Sequence, residues 1–347
     1  MAVLRGDDGM IFRGEPIAPV NLMRYGWLGI TDWQEAGYTG KGVKVCVIDA
    51  DTDISLARIP EKITAFRDSG RSPDWTIDYG YHGLCTLDII QQIMPDADTV
   101  FASWRYSVND IIEWCILNDV DIVTASLSYS YNPLSAQLSE KAVSVGIKMV
   151  SSAGNDGAVP ENLKGYPARK KTWVAIGAGV VADYGEFPYR LQYSSIGEDL
   201  EVLGMTHLFV QMPAPFYEML YTGTSCSSPV VASMIGLIQE REGTLDTEEF
   251  RKLLIEHCID IGSPGRDKYS GWGMLRMPSA RGDRIRETVL EIDNRIVRVD
   301  GLEEMTDQAP FIVPETGRTM VPLSFIGRAM GLKVIWDEEN RRVIVRG

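Results

Sequence analysis

Short apolar runs alternate with helix-like patterns over most of the chain. The run Val43-Lys44-Val45-Cys46-Val47-Ile48 follows the turn Tyr38-Thr39-Gly40-Lys41-Gly42 and predicts a strand. Thr99 to Ala102, Asp121 to Ala125, Ile147 to Val150 and Trp173 to Ile176 predict four more. A helical stretch from Asn109 to Leu117 carries Ile111, Ile112, Cys115 and Ile116, with Ser107 as its N-cap, and Leu134 to Val145 reads as another helix. Strands that alternate with helices imply crossover connections and therefore an α/β fold: a mostly parallel sheet flanked by helices. In such sheets functional groups gather at the carboxyl ends of the strands.

The pattern changes near Pro278-Ser279-Ala280-Arg281-Gly282-Asp283-Arg284, a polar segment that reads as a linker. Beyond it, Val289 to Val299 partly alternates apolar and charged residues, as one half-buried strand would, and Leu323 to Met330 predicts a short helix. Lys333 to Trp336 and Arg342 to Val345 flank Asp337-Glu338-Glu339-Asn340, a hairpin signal. Three regions are therefore expected: a leader over 1–21, a main domain over 22–280 and a small α+β module over 285–347. No internal repeat or low-complexity tract is present.

The length of 347 residues fits two domains, or one large domain with an appendage, and a hydrophobic content of 45% supports a substantial core. No apolar run is long enough to span a membrane. A net charge of −14 argues against nucleic acid and anionic membrane surfaces as partners. Five cysteines, none in a C-x-x-C pair, give no zinc or redox motif. The first thirty residues carry Arg5, Asp7, Asp8, Arg13 and Glu15 in place of the apolar core of a signal peptide. Together with the odd number of thiols this points to a cytoplasmic setting, and to a secreted or cell-envelope one if the sequence is part of a longer chain.

Four segments carry candidate chemistry. Gly223-Thr224-Ser225-Cys226-Ser227-Ser228-Pro229 delivers a serine into the apolar run Val230 to Ile238, which reads as a buried helix with Pro229 in its first turn. There the free N–H groups and positive dipole end suit an oxyanion; a capped core helix is the plain alternative. Asp49 ends the first strand, either as a catalytic group at the sheet's carboxyl edge or as an aspartate starting a turn. His82 stands near the start of a helix marked by Leu87, Ile90 and Ile93. A capping or surface histidine is the alternative, but His207 and His257 lie in contexts with no matching partner pattern. Asn155, on the glycine-rich turn Ala153-Gly154-Asn155-Asp156-Gly157, is placed either to donate to an oxyanion or simply to make the turn.

Taken together and in this order, the four segments resemble the subtilisin-like serine proteases over roughly residues 22 to 280. Gly40 to Val45, Ser126-Leu127-Ser128, Tyr166-Pro167-Ala168, Tyr193-Ser194-Ser195 and Gly271-Trp272-Gly273 continue the series. The resemblance implies an endopeptidase that forms an acyl-enzyme, with Ser225 as nucleophile, His82 as base and then acid, and Asp49 as the orienting carboxylate. It implies an oxyanion hole of Asn155 and the Ser225 N–H. Ser126, Leu127 and Ser128 would form the edge that pairs with an extended peptide, and Ala153 and Gly154 would line the primary specificity pocket. Protein or peptide substrates follow; no cofactor is called for.

The departures from the family pattern set further expectations. Asp49-Ala50-Asp51 replaces Asp-Thr-Gly, which puts a second carboxylate, Asp51, where it would raise the pKa of His82. His82-Gly83-Leu84-Cys85 replaces His-Gly-Thr-His, and Ser128 and Tyr129 stand where glycine is common, which suggests a narrower cleft. The ligand set that holds calcium in many relatives is missing at Asp53-Ile54-Ser55-Leu56 and after His82, so no metal is assigned. These altered flanks keep a second reading open, a catalytically silent scaffold that binds peptides or a partner protein. A nucleotide-binding domain is excluded by the lack of a phosphate loop.

The tail resembles the small domain named after the amino terminus of copper amine oxidases, through Gly317 to Ile326 and Gly331 to Asp337. It contains no histidine or cysteine, the ligands copper favours, so the expected role is to stabilise the chain or to dock a partner or an envelope component.

Overall fold

A computed structural model describes residues 16–67, 69, 81–157, 165–181, 188–212 and 217–280, and in the tail 288–290, 292–299, 302–305, 308–314, 319–321, 333–337 and 341–346. Two compact units are present, Met1–Ala280 and Arg281–Gly347.

In the first unit the elements run α1 (Pro19–Leu28), α2 (Ile30–Glu35), β1 (Lys44–Asp49), β2 (Ile63–Ala65), α3 (His82–Ile93), β3 (Asp98–Ser103), α4 (Val108–Leu117), β4 (Ile122–Ala125), α5 (Pro133–Ser144), β5 (Lys148–Ser152), β6 (Val174–Val180), β7 (Tyr189–Arg190), β8 (Leu200–Met205), β9 (Leu208–Gln211), β10 (Glu218–Tyr221), α6 (Thr224–Glu242), α7 (Thr247–Glu256), β11 (Cys258–Ile259) and β12 (Met274–Leu275). The sheet has the order β11-β12-β8-β6-β5-β4-β1-β3-β2, with β7 on β6. Every pairing from β2 through β8 along that path is parallel. β9 and β10 form a separate antiparallel hairpin. The five predicted strands become β1, β3, β4, β5 and β6, and their near-continuous apolar character follows from burial on both faces.

Helix α6 is buried from Thr224 to Gln239 and packs on β4, β5, β6, β8 and α3. A helix apolar on all sides is a core helix, and burying each of Val230, Val231, Met234, Leu237 and Ile238 stabilises the fold by about 1.5–3 kcal/mol. Pro229 does not occupy the first turn as expected. The helix already begins at Thr224, after the N-cap Gly223 at φ 86°, so Pro229 lies inside it. Proline cannot donate to the carbonyl four residues earlier, that of Ser225. The Ser126 hydroxyl donates to that carbonyl instead, at 2.9 Å.

Helix α1 spans the boundary expected between 21 and 22. Asn21 is fully buried, donating to Gln92 Oε1 at 2.8 Å and to the Phe209 carbonyl at 2.7 Å. Ser107 takes the N-cap position of α4, but its side chain makes no capping bond.

The tail pairs β13 (Thr288–Leu290), β14 (Ile296–Val299) and β15 (Leu302–Met305) as an antiparallel sheet, with β16 (Phe311–Ile312) against β17 (Thr319–Met320) and β18 (Lys333–Asp337) against β19 (Arg342–Arg346). The single strand expected over Val289 to Val299 is thus two. Asp293, at φ 63°, turns the chain between them, a conformation aspartate tolerates better than most residues. The hairpin expected around Asp337 is β18 and β19; the helix expected over Leu323 to Met330 lies outside the described residues.

Candidate active site

Three adjacent parallel strands deliver polar groups to one edge of the sheet. β1 ends on Asp49, β4 leads into Ser126, and β5 leads through Ala153 and Gly154 to Asn155. The amino-terminal ends of α3 and α6 meet that edge and bring His82 and Ser225. The approach of α3 is close: a Cβ on Gly83 would lie 2.6 Å from the Ala50 carbonyl oxygen, so glycine is needed beside the histidine.

Asp49 is fully buried, and its Oδ1 lies 2.5 Å from His82 Nδ1 while also accepting the Ala50 N–H at 2.6 Å. Its Oδ2 accepts from Thr86 Oγ1 at 2.7 Å. This fixes the imidazole with Nδ1 on the carboxylate and Nε2 facing the cavity. Burial pulls the His82 pKa down, but the Asp49 charge and hydrogen bond outweigh it, and the net displacement is upward from 6.5. Asp51 is not the cause expected from the sequence. Its carboxylate pairs with Arg105, Oδ2 to Nη1 at 3.4 Å, which spends its charge away from the ring.

Asn155 Oδ1 accepts both the Thr224 N–H at 2.9 Å and the Thr224 hydroxyl at 3.1 Å; that hydroxyl in turn accepts the Gly154 N–H at 3.1 Å. With its oxygen committed, the side chain keeps its NH₂ for the cavity. A cavity of about 570 Å³ is lined by His82, Asn155 and Ser225 together with Tyr81, Cys85, Tyr193, Met219, Leu220, Tyr221, Thr222 and Gly223. The Ser225 hydroxyl donates to the Ser126 carbonyl at 3.3 Å; its partner at rest is therefore Ser126 and not the ring.

The other sequence-derived site residues fall around this centre. Ser126 is buried against Ser225. Leu127 packs on the core cluster of β1, β3 and β4, and Ser128 is exposed. A Cβ on Gly165 would lie 2.3 Å from Ser128 Oγ, so the extra side chain at 128 is accommodated by glycine at 165. Tyr129 pairs with Tyr166, its N–H donating to that carbonyl at 2.8 Å. Ala153 is buried, its N–H on the Ile176 carbonyl, and does not line the cavity; Gly154 beside it has φ 102°. Among the described residues no group of three or more His, Cys, Asp or Glu side chains is arranged to hold a metal ion. Sequence reasoning passed over Thr86 and Tyr221. Thr86 had a signal: it is the polar position one helical turn after His82, with Ile89 and Ile90 one turn further along the same face.

The family model described as the Subtilase family matches residues 93–273, more than half of the chain. The chain belongs to the subtilase family. Asn155 and Ser225 fall inside the matched segment, and Asp49 and His82 lie upstream of it. The subtilase is 28% identical to subtilisin of Bacillus pumilus over 70% of its own length and 92% of that protein. It is 29% identical to subtilisin DY of Bacillus licheniformis over 71% and 93%. It is a serine peptidase of the subtilisin type. The fold is shared with a lanthipeptide protease at a TM-score of 0.59 and 19% identity, covering 76% of this chain and 97% of that one. Residues 283–345 match the family described as the copper amine oxidase N-terminal domain.

Proposed function

We propose that the subtilase is an endopeptidase that cleaves proteins or peptides through an acyl-enzyme on Ser225. The observation that carries this reading is the Asp49–His82 bond of 2.5 Å beneath a cavity that His82 shares with Ser225 and Asn155. In this reading the Ser225 oxygen attacks the scissile carbonyl carbon and its proton passes to His82 Nε2. Asp49 holds the imidazolium so formed. The Asn155 amide and the Ser225 N–H, near the start of α6, meet the oxyanion. The amine leaves with the proton from Nε2, and water repeats the sequence on the ester.

The resting bond from Ser225 to the Ser126 carbonyl fits this cycle. A peptide N–H that pairs with that carbonyl takes over the acceptor and releases the hydroxyl toward His82. Substrate binding along Ser126, Leu127 and Ser128 would thus prepare the nucleophile. The tail is assigned to docking a partner or envelope component, which its separate compact unit supports. We assign the work of the enzyme to a reducing compartment, a reading supported by five free thiols.

Ser225→Ala tests the assignment. Turnover of casein is expected to fall by about 10⁶, the size established for subtilisin itself when the triad serine is removed. A fluorophosphonate is expected to label Ser225. Failure to label, with no casein turnover by either protein, would leave the silent scaffold as the better reading.

A further inference from the structure

Thr86 and Tyr221 build a hydroxyl chain behind the site. Thr86 stands one turn after His82 on α3 and touches Asp49 Oδ2 at 2.7 Å; its oxygen is also 2.9 Å from the phenol of Tyr221, at the end of β10. The same phenol oxygen is 3.4 Å from His82 Nε2, and the two rings meet edge to face at 5.6 Å and 87°. Thr86 and Asp49 are fully buried and Tyr221 is 5% exposed, so water does not compete for the bonds of Thr86 to Asp49 and to Tyr221.

The protons can be assigned. A carboxylate only accepts, so Thr86 donates to Asp49. That uses the one hydroxyl proton of Thr86, which must then accept from Tyr221. The phenol proton is spent in turn, and what faces Nε2 is an oxygen lone pair. When His82 is neutral, Nε2 also presents a lone pair, because its one proton is on Nδ1 facing Asp49. When the ring is protonated, Nε2–H points at an acceptor. Turning the phenol to serve the neutral ring trades a 2.9 Å bond for a 3.4 Å one.

We propose that Tyr221 is a positioning residue for the base, oriented by Thr86 so that its oxygen accepts from the imidazolium and not from the neutral ring. The inference rests on the reading of His82 as the base and adds a residue outside the triad and the oxyanion hole. It gives Tyr221 a part in the steps in which Nε2 carries the proton between leaving Ser225 and reaching the amine. The other groups around the ring do not supply this. Asp49 from β1 holds the opposite nitrogen, and Tyr81 immediately precedes the histidine on the chain. Cys85 on α3 stays a neutral thiol, since burial and then Asp49 push it well up. Ser225 and Tyr193 line the same cavity without a hydrogen bond to the ring, and Asp51 is paired with Arg105. Burial likewise pushes the Tyr221 phenol well up, so it remains protonated.

The test is Tyr221→Phe, followed by NMR titration of the His82 ring, with His82→Gln assigning the signal among three histidines. The midpoint is expected to fall by about half a pH unit or more, the shift that one weak hydrogen bond makes. The acid limb of kcat/KM is expected to move down with it, and the plateau rate to drop. Tyr221→Met, which also lacks the hydroxyl, is a second route should the phenylalanine variant not fold. Packing alone predicts a slower enzyme with an unmoved midpoint; that result, or a raised midpoint, overturns the proposal. The titration needs no turnover. A chain that fails to react with fluorophosphonate therefore sinks the functional reading without deciding this one.

Discussion

Ser126 and Ser225 are joined by two reciprocal hydrogen bonds: the Ser126 hydroxyl donates to the Ser225 carbonyl at 2.9 Å, and the Ser225 hydroxyl donates to the Ser126 carbonyl at 3.3 Å. The first bond fills the vacancy that Pro229 leaves in the helix ladder. Ser126→Ala would bury an unsatisfied carbonyl, at a cost of about 1–3 kcal/mol. A lowered denaturant midpoint with an unchanged m-value is the expected outcome. Unaltered stability would show that the Ser225 carbonyl finds another donor.

Asn155 is oriented by Thr224, and the two should fail in graded fashion. Asn155→Ala removes the side-chain donor and is expected to cost about 10²–10³ in turnover, the size seen for one oxyanion donor in subtilisin. Thr224→Val keeps the amide but takes away the hydroxyl it accepts from. A smaller loss in kcat with little change in KM is expected. If the order of the two losses were reversed, the assignment of Asn155 as donor would fall.

His82 gives the enzyme two pH signatures. Its folded-state pKa is raised above 6.5, so the neutral, base-competent ring is reached only above that value. The midpoint of the acid limb of kcat/KM is expected above 6.5. Stability moves the other way. A raised folded pKa means that the native state binds the proton more tightly; the contribution is complete below 6.5 and is lost as pH rises through the folded value. Unfolding free energy measured across that window should decline in the wild type, and His82→Gln should flatten the decline.

Gly83 carries the approach of α3 to β1. Gly83→Ala would set a Cβ 2.6 Å from the Ala50 carbonyl and 3.0 Å from the Phe101 ring. Overpacking of this kind costs about 1–3 kcal/mol and displaces the adjacent histidine. Both a lower melting temperature and a loss of kcat are expected; full activity would mean that the helix can move without disturbing His82.

Much of the site is legible in the sequence because its parts are local. Asp49 ends an apolar run, His82 opens a helix pattern, and Ser225 enters one, so each sits at an element boundary that hydrophobic patterning marks. The β1, β3, β4, β5 and β6 strands are visible for the same reason. The short strands β7, β11 and β12, and the β9–β10 hairpin, carry too few residues to show a period. Proline fooled the reading of α6: first-turn preference placed Pro229 there, while Gly223 at φ 86° sets the true start. Asp51 misled in a comparable way, because its partner Arg105 lies far along the chain.

The sequence by itself determined the order of chemical groups, the parallel sheet and the family to which they belong. Only the tertiary structure decided how the protons are shared. Thr86 meets Tyr221 across 135 residues of chain, and Ser126 meets Ser225 across 99. Such contacts have no periodicity to betray them; they exist because buried hydroxyls and carbonyls must find partners once water is gone, and the fold dictates which ones are near.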